Sequence, residues 1–307
     1  AFATAAGPIA SMTASPFDDI KALIARLPQA RPARLVPDPA WGRLGRIAAW
    51  LSAWSAEGRP RVLRPIIALY AGSYAESQTA ALRGRLELIA AGGAPINALA
   101  QAAGAGLEAF DLAIERPVGD IAGQAAMSER ECAATMAFGM EALAKQPDLL
   151  VLGEITLDGQ LSSAAIALAL FGGERGDWAD EDGAAVSAAV QRLHAEAGPA
   201  LGPLDILRHL GGRQTAAIAG AILAARNQGV PVLLDGHGAA AAAAVLHAID
   251  PQAISHVMPG DLSPGPGHAR LLQRLGLEPV VDLGMSIGEG CGAATALALV
   301  KLACELG

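Results

Sequence analysis

A chain of 307 residues is long enough for one large domain, or for one with a small satellite. Hydrophobic residues make up 52% and charged residues 17%, and no stretch reaches the ~20 uninterrupted apolar residues that span a bilayer, so a soluble protein without a membrane partner is expected. The net charge of -8 gives no electrostatic case for a nucleic-acid partner, and three scattered cysteines (Cys132, Cys291, Cys304) form neither a disulfide framework nor a zinc site, which suits the cytoplasm.

The small-residue stretch at 1–14 reads as a tag or disordered leader, with native sequence beginning at Met12. Ser15-Pro16-Phe17-Asp18-Asp19 then has a capping residue, a proline and first-turn acids, predicting a helix to about Leu27. A proline- and arginine-rich connector follows. The spacing of Leu44, Ile47, Ala48, Leu51 and Trp54 predicts a helix over 41–56, with Trp50 and Trp54 on its packing face. Residues 15–60 are expected to form a small helical subdomain, with the last helix of the chain a candidate addition to it.

From 61 to 307, strands and helices alternate. Strands are expected at 64–71, 107–114, 149–153, 231–235, 253–258 and 279–283. Helices are expected at 82–91, 95–103, 128–145, 162–171, 184–197, 204–210, 214–227, 239–249, 267–275 and 293–306. This order predicts a three-layer, doubly wound α/β domain with a mostly parallel sheet covered on both faces. Its ligand should lie beyond the carboxyl ends of the strands.

Three strand-end loops carry candidate chemistry. The first holds Glu154, the second Asp235-Gly236-His237-Gly238, and the third Gly288-Glu289-Gly290. A carboxylate between two glycines, lifted off a strand end beside a helix start, is placed for general-base work. The plainer reading puts Glu289 in a first helical turn, where acids suit the macrodipole. Six histidines show no paired ligand spacing, so no metal is expected. The G-x-S-x-G match at 284–288 lacks the histidine that should follow its serine, because the last histidine is His268.

The runs Gly211-Gly212-Arg213-Gln214-Thr215, Val230-Pro231-Val232-Leu233-Leu234-Asp235-Gly236, Pro266-Gly267-His268 and Asp282-Leu283-Gly284-Met285…Gly288-Glu289-Gly290 resemble the nicotinate-nucleotide:dimethylbenzimidazole phosphoribosyltransferases. Gly42-Arg43-Leu44-Gly45-Arg46 and Ala91-Gly92-Gly93-Ala94-Pro95-Ile96-Asn97 are similar to further segments of that family. The resemblance implies a homodimer in cobalamin nucleotide-loop assembly, transferring phosphoribose from nicotinate mononucleotide to a benzimidazole without a cofactor. It makes Glu289 the general base, and places Glu154, Thr156, Gly159, Gly288, Gly290, Ser73, Tyr74, Gln78, Asp235 and His237 in substrate binding.

The substrate loops depart from the family pattern. Ala71-Gly72-Ser73-Tyr74-Ala75-Glu76-Ser77-Gln78 is shorter and lacks a D-H-G core. Gly153-Glu154-Ile155-Thr156-Leu157-Asp158-Gly159 has fewer glycines and brings Asp158 towards a phosphate. Asp177, Asp180, Glu181 and Asp182 stand where an anion should bind. These changes leave a second reading: a catalytically silent paralogue acting as a partner subunit, possible heteromer, or base- or nucleotide-binding protein.

Overall fold

The computed structural model describes residues 15–55, 60–157, 159–179, 183–198 and 201–306. The expected leader, and Asp158, Asp180, Glu181 and Asp182, lie outside them. Helices α1 (Asp18–Ala25) and α2 (Gly42–Trp54) precede β1 (Pro65–Ala71). Then come α3 (Thr79–Ala90), α4 (Pro95–Ala103), β2 (Gly106–Asp111), α5 (Glu129–Gly139) and β3 (Leu149–Ile155). Four helices follow: α6 (Gly159–Phe171), α7 (Gly183–Ala197), α8 (Pro203–Leu210) and α9 (Arg213–Gln228). The chain continues through β4 (Val232–Leu234), α10 (Gly236–Ile249), β5 (Val257–Pro259), α11 (Pro266–Leu275) and α12 (Cys291–Cys304).

Local chemistry sets several of these boundaries. Ser128 and Glu131 form a reciprocal capping box at α5: Ser128 Oγ accepts from Glu131 N at 3.2 Å, and Glu131 Oε2 accepts from Ser128 N at 2.9 Å. Pro95 opens α4, where its missing N–H is no loss, and Gly229 ends α9 in the left-handed conformation at φ 72°.

The five strands form one parallel sheet in the order β2-β1-β3-β4-β5. Alternation along β1 sends Ile66, Ala68 and Tyr70 into one core with α1 and α5 to α11. Ile67, Leu69 and Ala71 enter a second core with α2, α3, α4 and α12. These are the two helical layers of the expected doubly wound fold. Small residues let the layers approach: a Cβ on Gly220 of α9 would lie 1.8 Å from Met136 O on α5, and one on Gly139 1.9 Å from Ala217 O. Trp54 packs edge-on to His256 and lies under the Arg226 guanidinium, so it serves packing as expected.

Two expected strands need correction. Residues 279–283 make one parallel bridge, Asp261 to Val281, and no strand. Val280 N donates to Pro259 O and Val281 N to Gly260 O, but Pro279 has no N–H, and the chain leaves for solvent after Val281. The first half of 253–258 belongs to a short 3-10 turn, Pro251–Ile254, capped by Asp250, which accepts from Gln252 N at 2.8 Å. Among the described residues no helix is long and apolar enough to cross a membrane.

Candidate active site

In this strand order the direction of winding reverses between β1 and β3, and the crevice beyond their carboxyl ends is where such sheets take ligands. Tyr70 stands opposite Glu154 there, and Ala71 opposite Ile155. The Glu154 carboxyl lies against two helix starts. A Cβ on Gly159 of α6 would come within 2.7 Å of its Oε1, and one on Gly238 of α10 within 2.1 Å. Both positions therefore exclude any side chain while the carboxyl stays where it is. Helix N-termini favour the ionised carboxylate, but burial wins. Desolvation, reinforced by the charge of Asp235 and opposed by a hydrogen bond from Gln214, pushes the Glu154 pKa up to about 7. Its Oε2 is out of contact with solvent and has no protein partner.

Tyr74 and Gln214 complete this end of the crevice. Gln214 Nε2 donates to the Tyr74 hydroxyl at 2.9 Å. Gly72 and Gly212 make room for that amide, since a Cβ on either would meet Gln214 Oε1 at 2.1 or 2.3 Å. Burial and the nearby Glu154 hold the Tyr74 hydroxyl strongly towards its protonated form.

Glu289 is reached from the other side. Gly288, Glu289 and Gly290 are three consecutive left-handed residues, at φ 64°, 56° and 80°. For a glutamate this conformation is strained by roughly 1–2 kcal/mol, so the surrounding structure must impose it. Asp235, at the end of β4, does so by accepting from Gly290 N and Ala293 N at 2.8 Å each. It thus caps α12 from another element, and burial holds its own pKa above the usual range. Gly290 also packs close on β1, where a Cβ would lie 2.8 Å from Leu69 Cδ2. The Glu289 carboxylate is only 10% exposed and pairs with Arg85 of α3, itself 45% exposed. Asp261, just past β5, is held at about 7 by burial and the charge of Asp235. Four carboxyl groups, Glu154, Asp235, Asp261 and Glu289, therefore line the strand ends.

The remaining expected residues divide into two groups. Ser73 and Gln78 are engaged in shaping their loop: Ser73 Oγ donates to Ile114 O at 2.6 Å, and Gln78 Oε1 accepts from Tyr74 N at 2.9 Å. Thr156 Oγ1 is buried and unpartnered beside Glu154 and Gly159. His237, in the first turn of α10, stacks on His268 at 5.9 Å between ring centroids. Burial keeps both neutral, with pKa values near 3 and 4. Asp177 pairs with Arg270 at 2.7 Å. The sequence reading did not give site roles to Arg85, Gln214 or Asp261. Asp261 stands in a Pro-Gly-Asp strand end that could have revealed it; Arg85 sits in an ordinary charged helix face and carries no such signal.

The fold and this crevice define a doubly wound α/β protein with carboxylates gathered at the carboxyl ends of its strands. The chain belongs to the nicotinate-nucleotide–dimethylbenzimidazole phosphoribosyltransferase family: a phosphoribosyltransferase family model matches residues 20–307. The nicotinate-nucleotide–dimethylbenzimidazole phosphoribosyltransferase of Brucella melitensis biotype 2 (strain ATCC 23457) is 46% identical over 322 residues, covering 95% of this chain and 94% of that protein. Its counterpart in Brucella abortus (strain S19) is 45% identical over the same shares. The crystal structure of CobT from Thermus thermophilus superposes with a TM-score of 0.80 at 27% identity, covering 95% of each chain. The Brucella alignments span 322 positions against 307 residues here, so those relatives carry stretches that this chain lacks.

Proposed function

We propose that this protein transfers phosphoribose from nicotinate mononucleotide to a benzimidazole-type base, with Glu289 as the general base. The observation that carries the reading is the Glu289 loop. A buried carboxylate in a strained backbone, clamped from β4 through Asp235, is what positioned proton abstraction requires. Glu289 takes the N–H proton of the benzimidazole, whose ring nitrogen forms a bond to C1′ of the phosphoribose as the C1′–N bond to nicotinate breaks. The pyridine nitrogen keeps that electron pair, so the leaving group needs no proton. Attack opposite the leaving group inverts C1′ to the α-linkage.

Glu154, partly protonated near neutrality, is placed to donate a hydrogen bond to the donor, with Thr156 Oγ1 and Gly159 beside it. Leu283 and Ile287, 60% and 44% exposed on the loop ahead of Glu289, offer apolar cover for an aromatic ring. The relatives' names support the substrates. A cytoplasmic homodimer completes the proposal.

The stretches that the relatives carry and this chain lacks favour one alternative, a silent paralogue that binds a base or nucleotide or joins an intact partner. Chromatographic detection of nicotinate and α-ribazole phosphate from nicotinate mononucleotide plus dimethylbenzimidazole separates the two. Product that vanishes in Glu289→Gln supports the transferase. Folded protein yielding none at high concentration moves the reading to the paralogue.

A further inference from the structure

Four carboxyl groups at the strand ends present an electrostatic problem for a donor that carries a phosphomonoester and a pyridine carboxylate. Glu154 and Asp261 reduce it by titrating near pH 7, at about 7 each, but partial neutralisation supplies no attraction. Among the described residues, Arg85 is the cation found in an ion pair with one of the four. Its partner carboxylate is buried while the guanidinium itself is nearly half exposed, so the pair reaches from the interior to the surface. On the same helix, Arg83 is committed elsewhere, to the exposed Glu115. The pair also occupies the base, because Arg85 Nη1 donates to Oε1 of Glu289, the group that must accept the acceptor's proton.

We infer that Arg85 is the anion-recognition residue of this site: its guanidinium exchanges the Glu289 carboxylate for an anionic group of the donor, so that donor binding frees the base. The inference rests on the transferase reading for the identity of the donor. A guanidinium edge pairs through two parallel N–H···O bonds with either a carboxylate or a phosphate, and a phosphate dianion competes well with a single carboxylate for that edge. The exchange would order the reaction, since the base becomes available only when the donor is present. It also gives this chain a donor contact independent of the loops that the relatives have and it lacks.

The test is calorimetric titration of the wild type, Arg85→Met and Arg85→Lys with nicotinate mononucleotide and, separately, with dimethylbenzimidazole, together with turnover. Arg85→Met should weaken donor binding by about ten- to a hundredfold, the range of a charge-assisted hydrogen bond. Arg85→Lys should recover part of that loss, and affinity for the base should stay within about twofold. Because an unpaired Glu289 would itself repel the donor, the loss must persist when Arg85→Met is added to Glu289→Gln. Equal donor affinity in wild type and Arg85→Met, an equal loss of both ligands, or disappearance of the effect in the Glu289→Gln background would each overturn the inference. Nicotinamide mononucleotide, which keeps the phosphate but replaces the carboxylate by an amide, identifies the anion: retained Arg85 dependence assigns the phosphate, lost dependence the pyridine carboxylate. Arg85-dependent donor binding without product would sustain the inference while the transferase reading falls. Product with Arg85-independent donor affinity would do the reverse, and a wild type that binds no donor would sink both.

Discussion

Asp235 and Gly290 are joined by a 2.8 Å hydrogen bond in which the Gly290 N–H donates to the Asp235 carboxylate. The contact links the end of β4 to a residue 55 positions further on and places Glu289 one peptide away from a rigid strand. The other Asp235 oxygen takes Ala293 N at 2.8 Å, so one side chain fixes both the loop and the first turn of α12.

Removing that clamp should separate stability from mere loss of a charge. Asp235→Ala leaves two buried N–H groups unsatisfied and should lower unfolding free energy by about 2–4 kcal/mol. Asp235→Asn keeps one acceptor oxygen and should lose about half as much. Urea titrations of the three proteins check the order, and turnover should fall in both variants because the Glu289 loop loses its anchor.

The left-handed backbone of Glu289 predicts an inversion of the usual glycine–alanine order. At φ 56°, Glu289→Gly should be more stable than Glu289→Ala by about 1 kcal/mol, whereas glycine is normally the worse residue inside a regular element. Neither variant has a carboxylate, so the comparison isolates the backbone. Equal denaturation midpoints would show that the loop relaxes once the glutamate is gone.

Glu154 makes stability depend on pH in a defined direction. Its pKa rises from 4.5 to about 7 on folding, so between these values the folded chain holds a proton that the unfolded chain releases. Stability therefore falls as pH rises from about 4.5 to 7, then stays reduced. Glu154→Gln should remove this slope and gain up to about 3 kcal/mol at pH 8, with little difference at pH 4. Asp261, raised from 3.8 to about 7, contributes a slope of the same sign that the variant retains.

The contact of α5 with α9 sets a steric test. A Cβ on Gly220 would lie 1.8 Å from Met136 O, a backbone atom that no rotamer change can move. Gly220→Ala should cost about 3 kcal/mol, by overpacking against main chain. Alanine at Gly84, where a Cβ meets nothing within 4 Å, should be neutral or stabilising in the same thermal-melt comparison.

The sequence by itself determined the layer architecture. Apolar runs without alternation can be buried only in a sheet covered on both faces, and the helices between them require parallel crossovers. Glycines around a lone glutamate marked the Glu289 loop before any contact was known.

What only the tertiary structure decided is how these pieces meet. The run 279–283 has the composition of a strand, yet strand formation needs a partner edge along its whole length, and the chain just past β5 offers it one bridge, at Asp261. Ser73 Oγ donates to Ile114 O, 41 positions further on, a brace that the local pattern does not announce. Arg85 and Glu289 lie 204 positions apart, and nothing in either local pattern announces the other. Pairing of distant side chains depends on where the sheet order puts them, which is a property of the assembled fold; periodicity and spacing act over a few turns of chain and are blind to it.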